Sequence, residues 1–397
     1  MSRLRVLTFS TLFPSAVRPA HGVFVAERLR QVVATGGIDA TVVAPVPWFP
    51  SQAARWGEYS LFARTPREES LHGLRVLHPR YPLIPRVGMT VAPALLYAAT
   101  LPVLRRLVRA MGGFDVLDGH YLYPDGVAVG WLARALGIPY TLTARGTDVT
   151  LIPRYSLPRR MIQSALASAA HVVTVCEALR RDVIALGVPP QRVTAMLNGV
   201  DLEKFRPGDR PAARRRLGFE GTTLLSVGLL IERKGHDLII RALRDLPQAR
   251  LVIAGSGPME QALRNLAGEM GVADRVRFAG PIAHRDLADY YTAADLLVLA
   301  SSREGLANVL LESIACGNPV AATDVNGTAE VVRDAAAGRL IPERTPQQIA
   351  ATVRALLDDY PDRAATRRFA EGFGWQPTTA AQLAMFQRAV SEHGARA

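Results

Sequence analysis

Short runs of apolar and β-branched residues alternate with amphipathic stretches from one end of the chain to the other. The apolar runs of the first half predict strands at residues 4–10, 40–45, 75–78, 115–118, 140–144, 171–175 and 193–197. Patterns with helical spacing lie between them at residues 23–34, 126–136 and 178–186. Strands and helices that alternate in this way are typical of βαβ units and parallel sheets.

The periodicity breaks in a turn-rich segment between residues 198 and 208, and a second series of strands follows it. That series is predicted at residues 223–227, 250–254, 276–279, 295–299 and 319–323. We therefore predict an α/β protein of two Rossmann-like domains that face a central cleft, with bounds at residues 1–204 and 205–374. No strand follows the amphipathic stretch that begins at residue 375, so we predict that residues 375–397 form a helix packed back on the first domain.

An apolar segment at residues 87–104 contains eighteen uncharged residues. Its length raises the question of a membrane span, but a glycine and two prolines interrupt it, and three arginines follow within residues 105–109. The alternatives are a buried domain helix and an interfacial helix with one apolar face and flanking arginines. We expect the buried helix.

The composition is that of a folded protein in a reducing compartment. Of 397 residues, 49% are hydrophobic and 21% are charged, which allows two sizeable cores. The two cysteines lie far apart in separate predicted elements, so they form neither a disulfide framework nor a metal-ligand spacing. We therefore expect a cytoplasmic protein.

The net charge of +12 is carried almost entirely by arginine, because only Lys204 and Lys234 are lysines among 47 basic residues. A basic surface attracts phosphate groups in nucleic acid, in anionic lipid or in a nucleotide diphosphate. The chain shows no basic run with interleaved aromatic residues and no recognisable nucleic-acid-binding module. We therefore expect no nucleic-acid partner.

Two carboxylates, Glu304 and Glu312, are separated by seven residues at the start of a predicted helix. Glu304 follows the strand at residues 295–299, and open α/β sheets bind ligands at the carboxyl ends of their strands. Backbone N–H groups near Asn308 and Val309 would suit a diphosphate. Without further context, such a pair is more often part of a solvated helix face.

The surrounding motifs supply that context. The glutamates are followed by a helix of small apolar residues and by Gly317-Asn318-Pro319-Val320. In this order the chain resembles the retaining glycosyltransferases of family 4, which have the GT-B fold and a Glu-x7-Glu motif. The resemblance covers essentially the whole chain and implies transfer of a sugar from a nucleotide-sugar donor.

The resemblance implies a role for each glutamate and for the residues around them. Glu304 would be catalytic and contact donor-sugar hydroxyls, and Glu312 would accept hydrogen bonds from the nucleotide ribose. Other donor-binding candidates are Gly22, Gly228, Arg233, Gly257, Gly305, Asn308 and Val309.

Lys234 lies in the turn Ser226–Gly235, which follows a predicted strand. Departure of a nucleoside diphosphate leaves negative charge on a phosphate, and a placed cation stabilises that charge without a metal. Lys234 is our catalytic candidate for this role. Many relatives also carry arginine at the position of Leu229, and Arg233 is the candidate to replace it.

Further candidates for the acceptor side lie in the first domain. His21 and Gly22 precede the first helix, in a loop that is richer in glycine in the family. Arg145 and Asp148 follow a predicted strand, and Arg145 replaces a histidine common in relatives, so it would bind an anion or a sugar and not act as a base. His120 is then the candidate catalytic histidine, although a lone histidine at a strand end is more often structural.

A narrower resemblance concerns the acceptor. The runs at residues 21–28, 44–50 and 144–148 look like those of glycosyltransferases of exopolysaccharide or teichuronic-acid-type assembly. Their acceptors are glycans, usually linked to polyprenyl diphosphate, and this implies a site at the cytoplasmic face of an anionic membrane. The apolar, arginine-rich stretches at residues 87–109 and 154–160 agree with this hypothesis.

The mechanism that the motifs favour needs no metal and no cofactor, since no Asp-x-Asp pair stands at a strand end. The resemblance implies retention of configuration. Because no carboxylate is clearly placed as a covalent nucleophile, we expect attack on the face from which the diphosphate leaves. Alternatives on the same fold are a nucleotide-sugar epimerase, a phosphorylase and a non-catalytic sugar-nucleotide-binding protein.

Overall fold

The computed structural model describes residues 3–83 and 88–395 of the chain. The chain forms two compact units. Unit 1 consists of Met1–Asn198 together with Gln376–Ala397, and unit 2 consists of Gly199–Trp375.

Unit 1 is built on a mainly parallel sheet. Its strands are β1 (Leu4–Phe9), β2 (Ile38–Val43), β3 (Val46–Pro47), β4 (Glu68–Leu71), β5 (Leu74–Leu77), β6 (Arg80–Tyr81), β7 (Val116–His120), β8 (Tyr140–Ala144), β9 (His171–Thr174) and β10 (Val193–Ala195). The sheet order is β10-β9-β8-β7-β1-β2-β5-β4, and β4 pairs antiparallel to β5. The short strands β3 and β6 pair separately. Its helices are α1 (Val23–Ala34), α2 (Glu58–Arg64), α3 (Gly88–Met111), α4 (Val127–Leu136), α5 (Thr147–Thr150), α6 (Ser156–Ser168) and α7 (Glu177–Ala185).

Unit 2 has a parallel sheet in the order β13-β12-β11-β14-β15-β16. Its strands are β11 (Thr222–Val227), β12 (Ala249–Ala254), β13 (Val276–Gly280), β14 (Leu296–Leu299), β15 (Val320–Thr323) and β16 (Gly338–Ile341). Its helices are α8 (Arg210–Leu217), α9 (His236–Ala242), α10 (Glu260–Glu269), α11 (Leu287–Ala293), α12 (Asn308–Ala315), α13 (Thr328–Val331), α14 (Pro346–Asp358) and α15 (Arg363–Ala370). Two clusters of buried side chains pack against this sheet.

The prediction of two parallel α/β domains is confirmed, and each predicted strand is present within two residues of its expected ends. The strands that the sequence analysis did not predict are β3, β4, β6 and β16. Two of them, β3 and β6, span two residues each, and β4 begins with Glu68 and Glu69 at the edge of the sheet. None of them contains the apolar run from which the other strands were predicted.

The division between the units falls six residues before the predicted bound at 204. Val200 forms a bridge with Gly374, and its amide donates to the carbonyl of Phe373 at 2.8 Å. The side chains of Val200 and Phe205 are buried in a core cluster of unit 2. The turn-rich segment therefore belongs to the second unit, although its sequence resembles a linker.

The C-terminal helix α16 (Trp375–Gly394) packs on unit 1, as predicted. Met385 and Phe386 on this helix are fully buried in the same core cluster as Val25 and Leu29 of α1. The end of the chain thus completes the core of the unit that the beginning of the chain builds.

The apolar segment predicted at residues 87–104 lies within α3, except for residue 87, which lies outside the described residues. Leu96, Leu104 and Leu107 form the buried face of α3, which packs against α4 and β6. The helix is long and apolar enough to cross a bilayer, and 28% of its most apolar window is buried. The helix therefore has one buried and one open face and is less buried than expected, and its contact with a membrane interface stays a prediction.

A buried arginine joins α16 to the rest of unit 1. Arg28 Nε donates to Gln382 Oε1 at 2.6 Å, and Arg28 Nη1 donates to the carbonyl of Met196 at 3.2 Å. Burial lowers the pKa of Arg28 to about 10, with Asp118 acting in the opposite direction. Because a buried cation must be hydrogen-bonded, Gln382 has a structural role that its position on a C-terminal helix does not indicate.

We expect Gln382→Leu to lower the free energy of unfolding by about 2 kcal/mol, because the Arg28 guanidinium loses a buried acceptor. Chemical denaturation measures this change. The control is Gln387→Leu, the same substitution at an exposed position of α16, where the change should stay within about 0.5 kcal/mol. Equal stability of the Gln382→Leu variant and the wild type would contradict the assigned role.

Candidate functional site

The two motifs singled out in the second half of the sequence meet at the carboxyl ends of β11 and β14. Lys234 ends a single 3-10 turn in the loop after β11, and Glu304 lies in the loop between β14 and α12. Lys234 Nζ donates to Glu304 Oε1 at 2.6 Å, and Arg233 Nη1 donates to Glu304 Oε2 at 3.2 Å. The structure therefore brings the neighbouring residues Arg233 and Lys234 into contact with Glu304, which lies about seventy residues later in the sequence.

Glu304 is an ionised acceptor surrounded by donors. Its side chain is 9% exposed, and burial alone would raise the pKa of the carboxyl. The charges of Lys234 and Arg233 outweigh burial, and a hydrogen bond from Ser301 Oγ at 2.7 Å adds to them, so the pKa of Glu304 is lowered. At neutral pH this carboxylate can only accept hydrogen bonds.

Gly228 makes room for Lys234. Its φ is 155°, and a Cβ at this position would lie 3.3 Å from Cε of Lys234. The lysine stem therefore crosses directly over the glycine. Leu229, where the family resemblance implied an arginine, is 58% exposed. Arg233 supplies a second cation at Glu304, and its role as a replacement for that arginine stays a prediction.

His236 holds the loop that carries these residues, and the sequence analysis did not identify it. Its Nε2 is 3.2 Å from the carbonyl of Leu229, so Nε2 carries the proton and Nδ1 accepts from Ser226 Oγ at 3.0 Å. Burial lowers the pKa of His236 to about 4. The imidazole is therefore neutral at physiological pH and connects Ser226 to the Leu229 carbonyl. The only sequence signal for this role is its position two residues after Lys234.

Glu312, the second motif glutamate, lies on α12 and is nearly buried. It accepts from His284 Nε2 at 2.8 Å and from the Tyr291 hydroxyl at 2.8 Å. The helix begins at Asn308, so Glu304 precedes it, and Asn308 and Val309 occupy its first turn, where backbone N–H groups point out of the helix. The two glutamates are therefore not stacked on one helix face.

The remaining glycines of the donor motif are held by backbone contacts. The carbonyl of Gly305 accepts from the amide of Gly327 at 3.2 Å. A Cβ at Gly257 would lie 2.6 Å from the carbonyl oxygen of Leu230. Gly257 therefore allows two loops of unit 2 to approach closely. Contact with a donor stays a prediction for both glycines.

A second set of predicted residues meets in unit 1, at the carboxyl ends of β7 and β8. His120 is buried, its Nε2 lies 2.9 Å from Asp118 Oδ2, and its Nδ1 lies 2.6 Å from Arg145 Nη2. Since a guanidinium only donates, Nδ1 accepts and Nε2 carries the proton. Burial lowers the pKa of His120, which is neutral with both nitrogens engaged. In this geometry it orients Arg145, and its catalytic role stays a prediction.

Arg145 carries hydrogen-bonding capacity that the described part of the chain does not satisfy. Its Nε and Nη1 atoms are buried and have no partner among the described residues. The guanidinium stacks on the ring of Phe24 at 4.9 Å, and burial lowers its pKa to about 9. Asp148 holds the Arg145 turn, because its carboxylate accepts from the amides of Arg145 and Gly146. Two unpaired donors on a buried cation are suited to an anionic ligand.

The loop before α1 is held tightly. Gly22 has a φ of 67°, and a Cβ there would lie 2.2 Å from the carbonyl oxygen of Leu12. His21 bonds to Arg18 and to the carbonyl of Thr11. Asp125, which the sequence analysis missed, accepts from the amide of Thr11 at 2.6 Å, and burial raises its pKa to about 7. Gly22 therefore allows close packing of two loops, and its contact with a donor stays a prediction.

Within residues 3–83 and 88–395, no group of three or more histidine, cysteine, aspartate or glutamate side chains is placed to hold a metal ion. The polar groups that gather at the strand ends of unit 2 are instead cations around a carboxylate. This chemistry suits a diphosphate held by lysine and arginine.

Comparison with known proteins agrees with this description of the fold. The family described as "Glycosyltransferase Family 4" matches residues 22–204, and "Glycosyl transferases group 1" matches residues 209–373. The D-inositol 3-phosphate glycosyltransferase 1 of Catenulispora acidiphila is 33% identical over 97% of this chain and 96% of its own. Sucrose-phosphate synthase from Thermosynechococcus elongatus superposes with a TM-score of 0.79 at 19% identity, over 98% of this chain and 100% of that one. Anabaena HepE, solved with UDP and glucose, superposes with a TM-score of 0.73 at 18% identity, over 96% of this chain and 98% of that one.

The fold is therefore that of the GT-B enzymes, as predicted. The chain belongs to the group 1 and family 4 glycosyltransferases. The prediction of an enzyme that transfers a sugar is confirmed. The narrower resemblance to exopolysaccharide enzymes is not supported by these relatives, since the curated relative is named for an inositol phosphate.

Proposed function

We propose that this glycosyltransferase takes a sugar from a nucleotide-sugar donor bound by unit 2, with retention of configuration and without a metal ion. The contact of Lys234 and Arg233 with Glu304 carries this proposal. Lys234 and Arg233, the cations for a leaving diphosphate, are hydrogen-bonded to Glu304, the acceptor for sugar hydroxyls. The first turn of α12, with Asn308 and Val309, and Glu312 at the ribose complete the donor site.

The ion pair itself supports this division of roles. A diphosphate carries more negative charge than one carboxylate, so it competes for the ammonium of Lys234 and the guanidinium of Arg233. Once these cations bind the diphosphate, lone pairs of Glu304 become available to donor-sugar hydroxyls. The leaving phosphate then takes the acceptor proton as the acceptor attacks from the same face. The cations stabilise the charge that develops on that phosphate.

The acceptor is proposed to carry a phosphate group that Arg145 binds, with His21 and Asp148 nearby on the same unit. The buried Nε and Nη1 atoms of Arg145, which have no partner in the described part of the chain, support this assignment. A polyprenyl-diphosphate-linked glycan in cell-surface polysaccharide assembly meets this requirement. An inositol phosphate meets it as well, and the name of the Catenulispora relative favours that second candidate.

Peripheral association with the cytoplasmic face of an anionic membrane is also proposed, and the charge distribution supports it. Unit 1 holds 24 arginines against 12 acidic residues, whereas unit 2 has 23 basic and 23 acidic residues. Of the ten large hydrophobic side chains that are exposed in the described residues, eight lie in unit 1. Among them are Trp48, Trp56 and Met89, and Arg105 and Arg106 are exposed on α3. Apolar side chains among arginines suit a lipid interface.

Release of nucleoside diphosphate tests the proposal. A panel of sugar nucleotides is first screened for thermal stabilisation, since a bound donor raises the melting temperature. The stabilising donor is then assayed alone, with D-inositol 3-phosphate, and with a polyprenyl-diphosphate-linked glycan in phosphatidylglycerol vesicles, each with and without EDTA. We expect release that depends on one acceptor and is unaffected by EDTA. Stabilisation without release under any condition would indicate a binding protein, and loss of activity in EDTA would contradict the metal-free mechanism.

A further inference from the structure

Both lysines of this chain are connected to the two motif glutamates. Lys234 bonds Glu304 directly. Lys204 Nζ lies 2.6 Å from His284 Nδ1, and His284 Nε2 lies 2.8 Å from Glu312 Oε1. Every other basic residue apart from the histidines is arginine, so the two compact ammonium groups are confined to the Glu-x7-Glu motif and its neighbours.

The direction of each hydrogen bond in the second connection is determined by chemistry. An ammonium has no acceptor, so Lys204 must donate and His284 Nδ1 must accept. The ring proton of a neutral imidazole then lies on Nε2, which donates to Glu312 Oε1. The Tyr291 hydroxyl donates to the other oxygen, Oε2, at 2.8 Å. Each oxygen of Glu312 thus accepts one hydrogen bond from the described residues.

Packing keeps this chain of donors in place. The ring of Phe205 lies 5.2 Å from the ring of His284 and 6.1 Å from that of Tyr291. Lys204 Nζ also lies over the Phe205 ring, 5.2 Å from its centre. The backbone amide of Lys204 donates to Asp201 Oδ1 at 2.9 Å. The side chains that set the orientation of Glu312 are themselves held on more than one side.

A carboxylate fixed in this way still has acceptor capacity, because its two oxygens together offer about four lone-pair directions. Two of them are used by His284 and Tyr291. The remaining capacity, one direction on each oxygen, matches a pair of neighbouring hydroxyls such as the 2′ and 3′ hydroxyls of a ribose. A 2′-deoxyribose would leave one nearly buried oxygen without a partner, which is unfavourable.

We propose that Lys204 and His284 are positioning residues, which orient Glu312 toward the ribose diol and thereby select ribonucleoside over 2′-deoxyribonucleoside diphosphates. This inference rests on the proposed function, since it places the nucleotide at Glu312. This role accounts for a lysine at position 204. Its ammonium lies over the Phe205 ring and donates one hydrogen bond to Nδ1 of His284. A planar guanidinium is bulkier and presents several donors in a fixed fork.

Calorimetric titration tests the inference, with UDP, GDP and ADP and the 2′-deoxy form of the diphosphate that binds best. His284→Leu removes the donor to Glu312, and we expect it to weaken binding of the ribonucleotide about tenfold. Binding of the 2′-deoxy form should change much less, so the preference for ribose shrinks. His284→Gln keeps an acceptor for Lys204 and a donor for Glu312, and it should restore most of that preference.

Lys204→Met provides a second variant that leaves His284 in place, and we expect a smaller loss of the same preference. Equal ratios of ribose to deoxyribose affinity in the wild type and in both loss variants, His284→Leu and Lys204→Met, would overturn the positioning role alone. Failure of the wild type to bind any of the three diphosphates would overturn the donor site, and with it the proposed function. The positioning role would also be contradicted if His284→Leu weakened binding of the ribose and 2′-deoxyribose forms equally and His284→Gln did not restore the affinity.

Discussion

Lys234→Ala is expected to reduce kcat roughly 100- to 1,000-fold, the range found when a preorganised electrostatic donor is removed from an active site. The ammonium would stabilise the charge that appears on the phosphate as the glycosidic bond breaks, so its loss should act on the transition state. Arg233 remains at Glu304 and limits the loss of ground-state binding. Steady-state kinetics with the preferred donor would measure kcat and KM separately.

Two further variants sharpen the test of Lys234. Arg241→Ala removes an exposed cation from the neighbouring helix α9 and should leave kcat unchanged. Lys234→Arg keeps the charge but must pass a bulkier head over Gly228, and we expect only partial activity. A change in KM without a change in kcat for Lys234→Ala would make the lysine a ground-state binder and contradict its assigned role.

Glu304→Gln is expected to lower kcat/KM roughly 10- to 100-fold, because hydrogen bonds to an ionised acceptor contribute about 1.5–3 kcal/mol. The substitution keeps the shape of the side chain but replaces one acceptor oxygen with a donor that faces Lys234 or Arg233. Kinetics with the preferred donor would be paired with chemical denaturation, since two cations lose their carboxylate. The control is Glu343→Gln, an exposed position of unit 2 that should leave both measurements unchanged. Wild-type kinetics in Glu304→Gln would remove this residue from the site.

The strands and the order of motifs could be predicted because they depend on local patterns. A buried parallel strand is a short apolar run, and its carboxyl end is where ligand-binding loops occur. Lys234 and Glu304 each follow such a run, so their meeting at adjacent strands β11 and β14 could be expected. The edge strand β4, with its exposed glutamate, carries no such pattern.

The partners of the site residues could not be predicted in the same way. Arg145 and His120 lie 25 residues apart, and His284 and Glu312 lie 28 apart, on elements whose relative placement depends on packing. The sequence indicated His120 as a candidate catalytic histidine, whereas the structure shows both its nitrogens in hydrogen bonds. His284 had no motif around it. Its role at Glu312 follows only from the structure, in which Lys204 donates to Nδ1 and Nε2 donates to Glu312.

The most direct test of the account is a crystal structure of the protein with the sugar nucleotide that stabilises it most. We predict that a β-phosphate oxygen lies within hydrogen-bonding distance of Lys234 Nζ, and that a donor-sugar hydroxyl donates to Glu304. A diphosphate bound elsewhere, with the 2.6 Å contact between Lys234 and Glu304 unchanged, would contradict the account.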